Sequence, residues 1–377
     1  MNQTSISFAA FGDIHLGHRK NKTADIVKAI DHFFGHYTKD FDLDIIFLEG
    51  DVFDRLLDFP SDDVMEATIW IHNFLKYCER FKIKLRVLEG TPSHDWKQSS
   101  MFETKMITNK FDVDFKYVTS ISVEFIQDLG ISVLYVPDKA ATAPEKIYEE
   151  VQEVLQANNL TQVDMACMHG MFKYQVPPGI RIPAHIESDY LSIVKHFILI
   201  GHVHTASVYK RILAAGSFDR LTHGEEAAKG AVFGTISDVE EDTFNFIENK
   251  LARKFITINI KHDDIESAIA AIEKKVTKLP TWSHVRLRGK KLNPVMIAFE
   301  EVAKRFPTLY MTKITLEEEA DKAEANQTED QDPEQKYSGI SITRENIVQL
   351  LLDGVRKRYG HIEHSVERVE KEILSVL

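Results

Sequence analysis

Five short segments rich in Asp and His constrain this chain more than any other feature of its sequence. Each one ends or closely follows a short apolar run, such as Ile45-Ile46-Phe47-Leu48 before Glu49-Gly50-Asp51. Apolar runs of this kind, without alternation, are typical of strands buried on both faces. The segments are Asp13-Ile14-His15, Gly50-Asp51, Ser93-His94-Asp95, His169-Gly170 and Gly201-His202-Val203-His204.

The spacing of these runs predicts a layered α/β architecture over residues 1–250. Helical stretches such as 63–81 lie between some of the strands. In α/β sheets, ligands collect beyond the carboxyl ends of the strands, which is where the Asp and His residues fall. We therefore expect the five segments to meet at one edge of the fold.

Asp and His together are the ligand types that suit manganese, zinc or iron. Residues at i and i+2 of an extended chain point the same way, so each of the pairs Asp13/His15 and His202/His204 can converge on one centre. A carboxylate between two ions can hold them about 3.5 to 4 Å apart for in-line attack on phosphorus. Any one segment alone fits a hydrogen-bonded core histidine or an ordinary strand end, but all five together predict a site for two divalent metals.

After residue 250 the sequence consists of three segments that differ in composition and in hydrophobic pattern. Residues 251–316 alternate strand and helix and predict a compact second domain, with Asp263 or Asp264 capping its first helix and Asn293 its second. Residues 317–338 are acidic and predict a flexible linker. Residues 339–377 predict two amphipathic helices that either dock back on the body or wait for a partner. The second helix carries a coiled-coil seam, formed by Ile362, Val366, Val369, Ile373 and Val376.

Charge and cysteine content limit which partners and which cellular compartment we expect for this protein. A net charge of -12 argues at first against nucleic acid, but residues 254–315 carry 12 positive and 6 negative side chains. Two bound divalent cations would also offset much of the acidic charge of residues 1–253. With only Cys78 and Cys167, and no apolar run long enough to cross a bilayer, we expect a cytoplasmic protein without disulfides or membrane contact.

The order of the five segments resembles the calcineurin-like metallophosphoesterase superfamily, whose pattern is D-x-H, G-D, G-N-H-[DE], H and G-H-x-H. The similarity spans residues 5–236 and implies a two-sheet α/β/β/α domain whose metal-bound hydroxide hydrolyses phosphodiesters. It also implies which residues bind each of the two ions. Asp13, His15 and His204 would hold one ion, His169 and His202 the other, and Asp51 would bridge the two.

The third segment departs from that pattern. It reads Gly90-Thr91-Pro92-Ser93-His94-Asp95, so Ser93 stands where the family has an Asn ligand and the loop is two residues longer. Ser93 would coordinate the second ion directly, act through water, or leave the site to Thr91, and in each case the ion would bind more weakly. By the same resemblance His94 would be the catalytic acid, with Asp95 setting its tautomer and raising its basicity.

Two further stretches are similar to the SbcD and meiotic-recombination-11 type of DNA repair nuclease, in a bacterial or phage form. They are Asp13-Ile14-His15-Leu16-Gly17 with Gly50-Asp51-Val52-Phe53-Asp54, and the segment 216–226 followed by Lys229-Gly230. This resemblance implies a manganese-dependent DNA exonuclease with single-strand endonuclease activity. Residues 251–316 would then cap the site, 339–377 would bind an SMC-like SbcC-type ATPase, and the helix at 63–81 would support a homodimer.

Two other functions remain open on the sequence alone. One is a phosphodiesterase for small molecules or cyclic nucleotides, because the metal segments do not choose a substrate. The other is a scaffold without catalysis that positions the ATPase. No G-x-x-x-x-G-K-[ST] segment is present, so any step driven by ATP needs another chain.

Overall fold

The computed structural model of this chain describes residues 5–37, 42–139, 142–261, 264–281 and 283–318. Apart from Glu317 and Glu318, the predicted linker at 317–338 lies outside the described residues, as do the predicted helices at 339–377. Across those described stretches, no helix is both long and apolar enough to cross a membrane.

A first sheet of six strands contains three of the N-terminal apolar runs. Its strands are β1 (Ile6–Phe11), β2 (Ile45–Leu48), β3 (Lys84–Leu88), β4 (Phe115–Val118), β11 (Gly230–Ile236) and β12 (Thr243–Glu248). They lie in the order β12-β11-β1-β2-β3-β4. The strands β1 to β4 are parallel, and β11 and β12 close one edge in antiparallel pairing.

A second sheet of six strands carries the two later histidine segments. Its strands are β5 (Ser122–Ile126), β6 (Ile131–Val136), β7 (Met165–His169), β8 (Ile198–Gly201), β9 (Ser207–Tyr209) and β10 (Ile212–Ala214). They lie in the order β5-β6-β7-β8-β10-β9. The four central strands are parallel and both edge strands are antiparallel, so His169 and Gly201 end neighbouring strands on the same side.

The two faces of β1 explain why its run is apolar without alternation. Phe8 and Ala10 belong to a core that also holds residues of the second sheet, whereas Ala9 and Phe11 belong to a core shared with helices. Those helices are α1 (Thr23–Tyr37), α2 (Asp62–Phe81) and α4 (Ser100–Asn109). On the far face of the second sheet, α5 (Pro144–Ala157) and α6 (Glu187–Ile193) enclose a third core. The described chain is therefore a layered α/β structure with two large sheets, as predicted.

The helix α2 covers the predicted range 63–81 almost residue for residue. Its N-cap is Ser61, whose hydroxyl accepts a hydrogen bond from the Val64 amide at 3.3 Å. Its apolar stripe is buried in the core of the same chain and includes Ala67, Ile71, Phe74, Leu75 and Cys78. That stripe is thus a core face of this chain, and a second copy would have to contact other residues of the helix.

A third, three-stranded sheet follows from residue 255. Its elements are β13 (Phe255–Asn259), α7 (Ile265–Val276), β14 (His284–Gly289), α8 (Pro294–Ile297), α9 (Phe299–Lys304) and β15 (Tyr310–Thr315). The strands are parallel in the order β13-β14-β15 and enclose a hydrophobic core of their own with the helices. Asp264 and Asn293 cap α7 and α8. The second helix, which we expected Asn293 to cap, is divided into two short helices, because Ala298 has ψ of 20°, outside the helical range.

Candidate metal centre

The loops after β1 and β2 run side by side and bring the first two segments together. The Asp13 amide donates to the Gly50 carbonyl at 3.0 Å, and the His15 amide donates to the Asp51 carbonyl at 3.1 Å. These bonds continue the pairing of two parallel strands beyond their ends. As a result Asp13, His15 and Asp51 lie at one edge of the first sheet, all three buried.

Four residues of the candidate site have positive φ, which residues with a side chain rarely adopt. Asp13, His15, Asp51 and His202 have φ of 47°, 56°, 49° and 104°. A residue with a side chain held at positive φ costs on the order of 1 to 3 kcal/mol, and such residues cluster at functional sites. The surrounding fold therefore holds these four side chains in place at a cost in stability.

The first ligand group consists of Asp13, His15 and His204. One carboxylate oxygen and two ring nitrogens lie within 4.8 Å of one another. The Nε2 atoms of His15 and His204 are 3.2 Å apart. Two imidazole nitrogens at that distance repel each other through their lone pairs unless a proton or a cation lies between them. A metal ion bound by both rings would relieve this repulsion.

The second ligand group consists of Asp51, His169 and His202, again with ligand atoms within 4.8 Å of one another. Asp51 Oδ1 lies 3.3 Å from His169 Nε2, and Asp51 Oδ2 lies 3.9 Å from His15 Nε2. Asp51 therefore faces a member of each group. The structure brings together all six residues that the family resemblance implied as ligands, and these buried carboxylates and imidazoles could hold metal ions.

Hydrogen bonds and charge hold the side chains of this centre together. Burial alone would raise the pKa of Asp51, but His169, His94 and His15 together lower it well below its ordinary value. Burial alone would lower the pKa of His169, whereas the Asp51 carboxylate raises it to about 10. A cation at this position would take over the role of the His169 proton.

In three of the histidines, Nδ1 lies close to an oxygen atom of another residue. His15 Nδ1 lies 3.1 Å from Asp54 Oδ1, and His169 Nδ1 lies 2.6 Å from the carbonyl oxygen of Glu49. Such partners fix the tautomer and leave Nε2 free to face a metal. His204 Nδ1 faces Glu225 Oε1 at 3.6 Å.

Glu225 belongs to a buried network of its own. Its Oε2 lies 2.6 Å from the ammonium group of Lys229, which also donates to the His204 carbonyl at 2.6 Å and to Ser217 at 2.8 Å. Burial alone would raise the pKa of Glu225, but His204 and Lys229 lower it to about 2. The segment 216–230 thus fixes both the backbone and the ring of His204.

Sequence reasoning missed Asp54 and Glu225 as functional residues. Both lie inside stretches that had been singled out for their resemblance, Gly50-Asp51-Val52-Phe53-Asp54 and the segment 216–226. A carboxylate at a fixed offset from a ligand histidine was the available signal. Only the fold could show which ring nitrogen each carboxylate contacts.

Ser93 and Thr91 occupy different environments. Ser93 is exposed, in the short helix α3 (Pro92–Asp95). The hydroxyl of Thr91 instead lies 3.3 Å from His169 Nε2, 3.5 Å from His202 Nδ1 and 3.2 Å from Asp51 Oδ2. Of the alternatives that the sequence left open for this loop, the geometry favours Thr91 as the hydroxyl that faces the second group.

His94 is half-buried at the rim of the centre, and its Nδ1 lies 2.8 Å from Asp51 Oδ2. This hydrogen bond raises the pKa of His94. Asp95 was expected to orient His94, but its oxygens accept from the backbone amides of Asp51, Phe53 and Gly90 at 3.1, 2.9 and 2.7 Å. Asp95 therefore acts on the site by tying the α3 loop to the loop after β2.

Gly50 and Gly90 lie where the backbone passes close to ligand residues of the centre. Gly50 has φ of 91°, and a Cβ there would lie 2.5 Å from His169 Nδ1. A Cβ on Gly90 would lie 2.1 Å from the Asp51 amide nitrogen and 2.4 Å from Asp51 Oδ1. Neither position accepts a side chain without displacing a ligand residue.

No protein-family model matches this sequence, and no curated protein matches it. Among solved structures, GAP50, the anchor in the inner membrane complex of Plasmodium, is 12% identical, with a TM-score of 0.39 over 66% of this chain and 86% of that chain. Another solved chain is 11% identical, with a TM-score of 0.37 over 64% of this chain and 99% of the other. Likenesses this weak establish neither a fold family nor an activity, so function has to be inferred from the geometry of the centre.

Proposed function

We propose that this chain is a metal-dependent phosphodiesterase of the calcineurin-like superfamily that cleaves DNA as an SbcD-type nuclease, in partnership with an SMC-like ATPase. One observation carries the first part of the proposal. Two groups of Asp and His ligand atoms lie close together, and Asp51, which belongs to the second group, also faces His15 of the first. A shared carboxylate of this kind suits two divalent ions, with manganese as the metal that we expect.

The chain's own residues have separate tasks in such a reaction. Metal ions held there would supply Lewis acidity at phosphorus and lower the pKa of water. Asp54, Glu225 and the Glu49 carbonyl keep His15, His204 and His169 oriented toward the centre. The fixed backbone of the four ligand residues with positive φ means that little rearrangement is needed when a substrate phosphate arrives.

His94 is suited to act as the general acid. Its Nδ1 is held by Asp51 while the ring lies at the half-exposed rim, so Nε2 can face a substrate. The hydrogen bond to Asp51 raises the pKa of His94, which favours the protonated form of the ring. Proton transfer from such a group to the leaving oxygen contributes about 10² to 10⁴ in rate.

The choice of DNA as substrate rests on two supports. One is the resemblance of the segments 13–17, 50–54 and 216–226 to those of DNA repair nucleases. The other is the excess of basic residues at 254–315, in a chain whose net charge is -12. Basic side chains beside a phosphodiesterase centre favour a polyanionic substrate over a small neutral one.

A nuclease assay with end-labelled linear DNA and Mn²⁺ tests this function. The wild type and a His32→Ser control, changed at an exposed histidine of α1, should shorten the DNA stepwise. His94→Ser should be slower by at least about 100-fold, because it lacks the general acid. Hydrolysis of bis-p-nitrophenyl phosphate without DNA cleavage would indicate a small-molecule phosphodiesterase. Manganese binding without any turnover would instead indicate a scaffold.

A further inference from the structure

The loop 90–98 lies between β3 and α4 and carries His94 near its middle. Its first part forms the single helical turn α3, in which the His94 and Asp95 amides donate to the Thr91 carbonyl at 2.8 and 3.0 Å. Its last part turns back through Trp96 and Lys97, which have φ of 48° and 57°. Residues with side chains rarely adopt this left-handed conformation, so contacts from outside the loop have to fix its last part.

The carboxylate of Glu89 supplies such a contact. Glu89 follows β3 directly and is buried, with 6% of its surface exposed. Its Oε1 accepts a hydrogen bond from the Lys97 amide at 2.8 Å, and its Oε2 accepts one from the Tyr117 hydroxyl. Tyr117 lies in β4, an edge strand of the first sheet. The end of the loop is thus tied to a strand of the sheet through two side chains.

Burial of Glu89 is unfavourable for the stability of the fold. A carboxylate loses its hydration in the protein interior, and the carboxylate of Asp95 is buried in the same loop. Burial, the charge of Asp51 and the charge of Glu89 together raise the pKa of Asp95 to about 8. An apolar residue at position 89 would avoid this repulsion, which points to a role for the Lys97 contact beyond packing.

The ring of His94 depends on this loop for its position. It is bonded through Nδ1 to Asp51 at 2.8 Å and is half-exposed, so the rest of its orientation is set by the backbone of α3. That backbone runs into Trp96, whose indole N–H donates to the Ser93 carbonyl at 2.8 Å, and then into Lys97. A shift of Lys97 would therefore move the α3 turn, and with it Nε2 of His94.

We propose that Glu89 and Tyr117 are positioning residues, which hold the loop 90–98 so that His94 faces the leaving oxygen of the substrate. The inference rests on the proposed phosphodiesterase function and adds how its general acid is placed. Neither residue belongs to the ligand groups of the metal centre, so each acts through Lys97 and the α3 turn. A displacement of about 1 Å at a reacting group can slow an enzyme by about 10²-fold.

The leaving group separates this role from a general effect on the fold. A sugar oxygen needs a proton to leave, whereas p-nitrophenolate is a weak base and leaves without one. A displaced His94 therefore slows cleavage of DNA much more than hydrolysis of bis-p-nitrophenyl phosphate. Loss of metal or of folded protein would slow both reactions alike.

A double-mutant cycle, measured by single-turnover cleavage of end-labelled DNA with Mn²⁺, tests the proposal. Tyr117→Phe removes the hydroxyl that donates to Glu89 and should slow DNA cleavage about tenfold, but dye hydrolysis by less than about threefold. In a His94→Ser background the same change should slow DNA cleavage by less than about twofold, because no general acid remains to be positioned.

Tyr148→Phe is the matched control for Tyr117→Phe. The Tyr148 hydroxyl donates to the Asp189 carbonyl at 3.2 Å on the far face of the second sheet, so this change also removes one hydroxyl and one hydrogen bond. DNA cleavage by the control should stay within about twofold of the wild type.

A measurement that needs no turnover completes the test. Amide hydrogen exchange of residues 93–98 should be faster in Tyr117→Phe than in the wild type. Equal exchange in the two proteins, no slowing of DNA cleavage, or slowing by the same factor with and without His94 would overturn the proposal. If the wild type hydrolyses neither DNA nor dye, the proposed function fails, while the exchange comparison still decides whether Glu89 and Tyr117 hold the loop.

Discussion

Single residues behind the ligands decide how well this centre can hold a metal. Glu225 is the clearest case, because it faces the ring of His204 and also binds Lys229. Removing its charge in Glu225→Gln should weaken Mn²⁺ binding by about 10- to 100-fold, the usual effect of losing a partner behind a ligand histidine. Isothermal titration with Mn²⁺ measures this directly.

Glu226 provides the matched control for that change. It is the exposed neighbour of Glu225, so Glu226→Gln removes the same charge without touching His204. Equal Mn²⁺ affinity of the two variants would mean that Glu225 has no part in holding His204.

The loop 90–95 makes a second prediction at this scale, because Thr91 faces the second ligand group and Ser93 is exposed. Thr91→Val keeps the shape of the side chain but removes its hydroxyl, and should weaken the second Mn²⁺ binding step severalfold. Ser93→Ala should leave both steps unchanged. The reverse pattern in the same titration would make Ser93 the ligand.

A third prediction concerns pH and a histidine outside the centre. His185 is buried, with its Nδ1 3.2 Å from the Tyr190 hydroxyl, and burial lowers its pKa to about 4. The unfolded chain, with a histidine pKa of about 6.5, therefore binds the proton more tightly, and stability falls as pH drops from about 6.5 to about 4.

The His185→Gln variant lacks this titration. Between pH 6.5 and 4, the wild type should lose on the order of 3 kcal/mol more free energy of unfolding than the variant. Urea unfolding followed by circular dichroism at the two pH values measures the difference. Parallel losses in the two proteins would show that His185 is not the group responsible.

At the scale of elements, the chain places its ligands by joining strand ends through close backbone contacts. Gly90 lies between β3 and α3. In Gly90→Ala, the new Cβ would lie 2.1 Å from the Asp51 amide nitrogen. We expect this variant to fold with a lower melting temperature and to lose most of the rise in melting temperature that Mn²⁺ gives the wild type.

Gly35→Ala serves as the control for that substitution. Gly35 lies in α1, where an added Cβ has open space, so alanine should stabilise the helix by about 1 kcal/mol. A normal response of Gly90→Ala to Mn²⁺ would contradict the close approach at the centre.

The elements also show what the sequence could and could not predict. The buried strands and the edge where Asp13, Asp51 and His169 meet follow from uniform apolar runs that end in polar residues. The stripe of α2 could belong equally to a core or to an interface, because both need the same helical periodicity. The contacts of Asp54, Thr91 and Glu225 depend on loops that meet only in the folded chain, so no local pattern could reveal them.

At the scale of the whole molecule, charge is distributed in two distinct ways. Buried carboxylates gather at the candidate metal centre, where histidines face them, while a cleft beside the third sheet is lined by Arg19, Lys20 and Arg286, which form no ion pair among the described residues. Both features lie along the loop 13–22, which connects them. A substrate carrying negative charge along its length would meet both at once.

The central claim is that Asp51 lies between two divalent ions, and a crystal structure of the Mn²⁺-soaked protein tests it most directly. Anomalous scattering should give two peaks about 3.5 to 4 Å apart, one beside Asp13, His15 and His204 and the other beside His169 and His202. A single peak at saturating Mn²⁺, or two peaks of which neither contacts Asp51, would contradict the account.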